Sequence, residues 1–247
     1  YALAMTAHHN EGRSFGPLNI ALLLAAVVGV GLFVLAESRA ASPLIRLTMF
    51  RDPGLSASLA MSVLVSTVMM ATLVVGPFYL ARALGLDAAM VGFVLSVGPL
   101  VVALTAVPAG RIADRVGPQR ITIAGLVGMA GGSFTLAMVP ATLGIAGYLV
   151  PIVITTVGYA LVQTANNTAV MAEVRPDQRG VVSGMLNLSR NLGLVTGASV
   201  MGAVFAFASA TTDVTTALPE AVAAGMRTTF AVAAALVVAT LAIAAAS

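Results

Sequence analysis

Few side chains in this 247-residue chain can do chemistry, and their surroundings narrow what that chemistry can be. Arg190 stands inside a long apolar segment, where a charge costs about 3 kcal/mol or more unless it is paired or hydrated. It either lines an interior cavity or charge network, or snorkels to lipid phosphates or bonds the carbonyl ends of neighbouring helices. Gln163, Asn166 and Asn167 form a second polar group, spaced as neighbours on a helix. They can hydrogen-bond a ligand or tie two packed helices together. Asn187, Arg190, Gly193 and Gly197 are spaced to share one helix face. Ser62, Ser66, Thr67 and Tyr79 are weaker candidates. Met61, Met69 and Met70 lie beside them, adaptable side chains that suit varied apolar ligands and equally suit lipid.

What is missing is as informative. All nine acidic residues (Glu11, Glu37, Asp52, Asp87, Asp114, Glu173, Asp177, Asp213 and Glu220) stand in polar connections or at the ends of apolar segments. The converging acids and bases of an intramembrane enzyme are therefore not expected. His8 and His9 sit side by side in a short polar stretch and read as solvated loop residues, with no metal site expected. There is no cysteine, which excludes disulfides and thiolate-held metals or clusters. No cofactor is expected.

The elements that position these residues follow from composition. Hydrophobic residues make up 59% of the chain and charged residues only 9%, and the mean hydropathy is +1.02. A soluble domain carries about 25% charged residues, so this surface requires lipid as its solvent. About 20 apolar residues in a helix cross a bilayer core. Windows of that kind run from Ser14 to Ala36, Pro53 to Ala81, Ala88 to Gly110, across Ile121 to Ala172 as two spans, Val181 to Phe207 and Thr228 to Ala246. Pro140 to Gly144 supplies the turn inside the long window. The expected fold is all-α: a polytopic membrane bundle of about seven transmembrane helices. Pro77, Pro99 and Pro108 are expected to bend or break their helices.

The twelve basic residues are all arginine. Eight (Arg39, Arg46, Arg51, Arg111, Arg115, Arg120, Arg175, Arg179) fall in connections on one side and three (Arg13, Arg82, Arg227) on the other. The positive-inside rule puts the eight in the cytoplasm, and the expected location is the cell's inner (cytoplasmic) membrane. No arginine cluster carries interleaved aromatics, so nucleic acid is not an expected partner. Ser42 to Phe50 reads either as a short helix lying on the membrane, capped by Ser42 with Pro43 in its first turn, or as an ordered loop. Tyr1 is not a methionine and Ser247 ends an apolar run, so the chain is expected to be a fragment of a longer protein.

One connection carries a sharper pattern, Gly110-Arg-Ile-Ala-Asp-Arg-Val-Gly-Pro-Gln-Arg120. Gly110 and Gly117 permit a tight turn. Asp114 can accept from the N-terminus of a neighbouring helix, and Arg111 and Arg115 can pair with it or with lipid phosphates. A plain positive-inside loop is the alternative. This stretch resembles the signature loop of the major facilitator superfamily, with Pro118 and Gln119 where the family prefers basic residues. Gly184, Gly193, Gly197 and Gly202 resemble that family's antiporter motif, but Ala198 and Met201 stand where it has proline and glycine. Glycines four apart also allow close helix packing alone.

Ile154 to Gln163 lacks the arginine of a first half, so the resemblance is to the C-terminal half. The extra span Pro17–Ala36, Pro43-Leu-Ile-Arg-Leu47, Phe50-Arg51, Asp177-Gln-Arg-Gly180, Ser183-Gly184 and Arg190-Asn-Leu-Gly193 are similar to the fourteen-span drug:proton antiporters. The resemblance implies residues 1–53 as a non-cytoplasmic loop, one linker span and a cytoplasmic interfacial segment. It implies 54–247 as a six-helix bundle that lines a central cavity. It further implies efflux of small lipophilic or cationic substrates against protons, with Gly110, Arg111, Asp114, Arg115, Gly117 and Arg120 at the cytoplasmic gate. The coupling carboxylate would belong to the missing N-terminal half. A narrow-substrate carrier, a non-transporting subunit and a sensor remain the alternatives.

Overall fold

A computed structural model of the chain describes residues 47–209 and 218–246. The chain divides into two compact units, 1–56 and 57–247. The described part of the first is short. A 3₁₀ turn, Leu47–Arg51, leads to Asp52, whose carboxylate accepts from the backbone N–H of Gly54 (2.9 Å) and Leu55 (3.2 Å). With Pro53 next, this is a capped helix start. Of the surface helix or ordered loop expected at Ser42–Phe50, residues 42–46 lie outside the described residues, as does the first span, 14–36.

Six long helices follow: α1 (Pro53–Phe78), α2 (Ala88–Val116), α3 (Pro118–Met138), α4 (Gly144–Glu173), α5 (Arg179–Ala208) and α6 (Pro219–Ala246). Each is long and apolar enough to cross a membrane. No strand occurs among the described residues. All six acidic residues in the described segments lie at helix ends or in turns.

Lipid tails are as apolar as leucine, so packing and interhelical hydrogen bonds hold such a bundle. α3 packs on both α4 and α6, α2 leans on α4, and α5 meets α6. Tyr79, Tyr148, Phe205, Met226 and Phe230 fill the interior. Phe78 stacks on Phe205 with ring centres 5.9 Å apart, and Tyr79 on Tyr148 at 5.7 Å. α2 is the least covered helix, with Phe93, Leu104 and Val107 exposed.

Several expectations change. α2 does not stop at Gly110 but runs on to Val116, so Gly110 is a helix-interior residue and Gly117 alone separates α2 from α3. At 1.5 Å per residue α2 is roughly 43 Å long, which carries its last turns, with Arg111, Asp114 and Arg115, beyond the hydrocarbon. Gly117 has φ +98°, a backbone that L side chains rarely adopt, and Pro118 then starts α3. α6 begins at Pro219 and not near Thr228, because proline and Glu220 both suit a first turn. Pro77, Pro99 and Pro108 break nothing, since neighbouring groups in a bundle absorb the lost bond. Just after Pro77 the backbone widens into a π-helical turn, Tyr79–Ala83.

Candidate functional site

Tyr148, Ile152, Thr156, Tyr159, Gln163 and Asn166 follow one another at helical spacing along one face of α4. The lower part of this stripe is bonded to α1. Asn166 Nδ2 donates to the Ser58 carbonyl (3.1 Å), and Gln163 Nε2 donates to Ser66 Oγ (3.2 Å) and to the Tyr159 hydroxyl (3.1 Å). Asn166 and Ser66 are buried. Such groups cost free energy in an apolar interior unless bonded, so these bonds fix the register of α4 on α1.

Beyond Tyr159 the stripe borders a cavity of about 180 Å³ between α1, α2 and α4. Met69 and Thr72 of α1, Leu95 and Pro99 of α2, and Tyr148 and Thr156 of α4 are among its walls. The lining contains no carboxylate, guanidinium or imidazole. Tyr159 belongs to both halves of the site, as cavity wall and as partner of Gln163.

The expected site residues divide. Gln163, Asn166 and Ser66 come together on the α1–α4 seam. Asn167 is exposed, away from that seam. Tyr79 is buried and stacks on Tyr148 behind the cavity without lining it. Asn187, Arg190, Gly193 and Gly197 fall on one face of α5, but burial divides that face. Gly193 and Gly197 are buried against α1, whereas Asn187 and Arg190 are exposed, and Asn187 accepts from Asn191 Nδ2 at 2.7 Å. Asn187 and Gly193 stand at the two edges of an arc of about 120°, with Arg190 and Gly197 between them.

The four expected packing glycines also differ. A Cβ on Gly193 would collide with the Val63 carbonyl, and one on Gly197 would lie 2.6 Å from the Thr67 carbonyl. Thr67 Oγ1 donates across this contact to the Gly193 carbonyl (3.1 Å). Gly202 makes ordinary contact with Val74, and Gly184 faces open space, so it packs nothing within the described residues.

At the α2–α3 end, Arg111, Asp114, Arg115 and Arg120 are exposed. Asp114 forms no ion pair or side-chain hydrogen bond among the described residues, which leaves Arg111 and Arg115 open to lipid phosphates, the other partner expected for them. The ion pair among the described residues is Arg175–Asp177 at 3.6 Å, exposed and worth little. Gln119 Nε2 donates to the Ala244 carbonyl (3.0 Å), tying the turn to the last carbonyls of α6.

The sequence matches the Major Facilitator Superfamily over residues 14–198. The chain belongs to that superfamily. It is 30% identical to the uncharacterized transporter YebQ of Escherichia coli, over 77% of this chain and 42% of that protein. It is 28% identical to the multidrug resistance protein Stp of Mycobacterium tuberculosis, over 76% of this chain and 35% of that protein. It is 27% identical to the riboflavin transporter RibZ of Clostridioides difficile, over 77% and 42%. The chain thus spans well under half the length of these relatives. The α4 stripe thus lies in a multi-pass membrane chain of the facilitator superfamily.

Tyr148, Thr156 and Tyr159 are site residues that sequence reasoning passed over. Their signal is the continuation of the Gln163–Asn166 face toward the start of α4, with Tyr159, Thr156 and Tyr148 four, seven and fifteen residues before Gln163.

Proposed function

We propose that this chain is the C-terminal half of a fourteen-span, proton-coupled exporter of lipophilic small molecules. Residues 1–53 would supply a linker span and 54–247 a six-helix bundle of the inner membrane, with the arginine-rich connections cytoplasmic. The observation that carries the reading is the α4 stripe, a bonded polar seam leading into a cavity without charge. A polar line inside a membrane bundle is costly to keep and marks a path for substrate. The match to well under half the length of its relatives, one of them named for multidrug resistance, supports the assignment to one half.

In this reading the missing half covers the exposed apolar face of α2 and receives Arg190 of α5. The two halves rock about the cavity between them. Gly110, Arg111, Asp114, Arg115, Gly117 and Arg120 serve the cytoplasmic gate. The proton-carrying carboxylate stands in the other half, because the acidic residues of α1 to α6 are at helix ends. The test is flux of a lipophilic dye through the complete parent with and without a proton gradient. A narrow-substrate carrier is the second reading, favoured by the uncharged cavity and by the similarity to a riboflavin transporter. Export of one compound and not of unrelated ones would select it.

A further inference from the structure

We infer that the first half of α5 carries a binding site for the carboxylate of a small amphiphilic organic acid, with Arg190 as its counter-charge and the Asn187 amide beside it. This deepens the transporter reading, naming a substrate class, and rests on it for the molecule's passage. Three observations carry it.

The first is a polar stripe. Gly180, Ser183, Gly184, Asn187, Arg190 and Asn191 are all exposed. At about 100° per residue they share an arc of about 120°. A Cβ on Gly180 or Gly184 meets nothing within 4 Å, so the stripe runs open from the start of the helix. It closes above Asn191: on the same arc Leu194 and Ala198 are half-buried, and Met201 and Phe205 are buried. The polar surface is thus approached from one end and stops at Arg190 and Asn191.

The second is depth. α5 has 30 residues, roughly 45 Å of helix against a hydrocarbon core of about 30 Å. Centred on that core, it carries Arg190 about 9 Å inside the boundary. A charge there needs a partner or water. Arg190 makes no ion pair among the described residues, and α5 contains no acidic residue. A fixed counter-ion needs no open polar approach, whereas a molecule that comes and goes does.

The third is the donor set. Asn191 Nδ2 donates to Asn187 Oδ1 (2.7 Å), which occupies that oxygen and leaves the Asn187 N–H groups free. Arg190 is the neighbour of Asn187 on this face, three residues on, and brings five more N–H donors. The two oxygens of a carboxylate match the guanidinium fork. A cation meets repulsion there and nothing that replaces its hydration.

The experiment uses the complete parent protein in lipid nanodiscs. Three probes of one shape, para-butylbenzoate, para-butylbenzamide and para-butylbenzylammonium, are titrated calorimetrically, with empty nanodiscs subtracted. The anion should bind saturably and about ten-fold or more tighter than the amide, as for a hydrogen-bonded charge, and the cation should not displace it. Arg190→Gln should bring the anion down to the amide's affinity. Arg190→Lys, which keeps the charge and loses the fork, should fall between. Both positions of the pair are exposed, so these variants and Asn187→Ala should stay folded; Asn187→Ala should weaken the anion about ten-fold. Equal affinity for anion and amide, or anion binding that Arg190→Gln leaves unchanged, overturns the inference. Tighter binding of the cation also overturns it and assigns Arg190 to a fixed acid of the missing half. A parent that exports dye but gives any of these results keeps the transporter reading and loses this site. A parent that binds the anion through Arg190 but moves nothing across a membrane keeps the site and loses the transporter reading.

Discussion

Replacing Gly193 with alanine puts a methyl group where α5 rests on α1. That Cβ would collide with the Val63 carbonyl oxygen and lie 2.8 Å from Ser66 Cβ. Carbon atoms pack best at about 3.5–4.0 Å, so the seam must open by roughly 0.7–1.2 Å. Overpacking of this kind costs about 1–3 kcal/mol. Opening the seam also strains the Thr67–Gly193 hydrogen bond, worth about 0.6 kcal/mol in a membrane bundle. Alanine returns up to about 1 kcal/mol of helix propensity. The net expectation is a loss of about 0.6–2.6 kcal/mol. Gly184→Ala is the internal control, because a Cβ there meets nothing within 4 Å. It should be neutral or slightly stabilising through propensity alone. The assay is unfolding of the complete parent in mild detergent by titration with sodium dodecyl sulfate, followed by circular dichroism. If Gly193→Ala is as stable as Gly184→Ala, the α1–α5 contact is not the close seam described.

Three further outcomes follow from the same geometry. Gly117→Ala should cost about 1–3 kcal/mol in the same titration, because alanine must take a positive φ with an extended ψ at the one residue between α2 and α3. Gln163→Leu strands the buried Ser66 hydroxyl, so it should destabilise by about 1–2 kcal/mol and lower efflux, read by unfolding and by dye flux. Arg190→Gln should keep stability within about 0.5 kcal/mol, as for an exposed residue, yet lower efflux; unchanged efflux would remove Arg190 from the transport path.

The number and order of the described helices were legible in the sequence because lipid imposes one rule, about 20 apolar residues per crossing, on every span. The turn at 140–144 was legible for the same reason, through Pro140 and Gly144. The start of α6 was not, because Glu220 and Arg227 look like loop residues until the helix is seen to extend past the hydrocarbon. The α1–α4 bonds of Gln163 and Asn166 were half legible. The polar spacing showed a shared face, but the partners, Ser66 and the Ser58 carbonyl, are 97 and 108 residues away. The glycine motif on α5 over-predicted contact, since spacing alone does not tell the buried Gly193 and Gly197 from the open Gly184.

The central claim is that this chain forms part of a gradient-driven exporter, and dye efflux from cells making the complete parent tests it most directly. Extrusion should be present with a proton gradient and should stop when a protonophore collapses it. Absence of extrusion, with the parent shown to be folded and in the membrane, would contradict the claim.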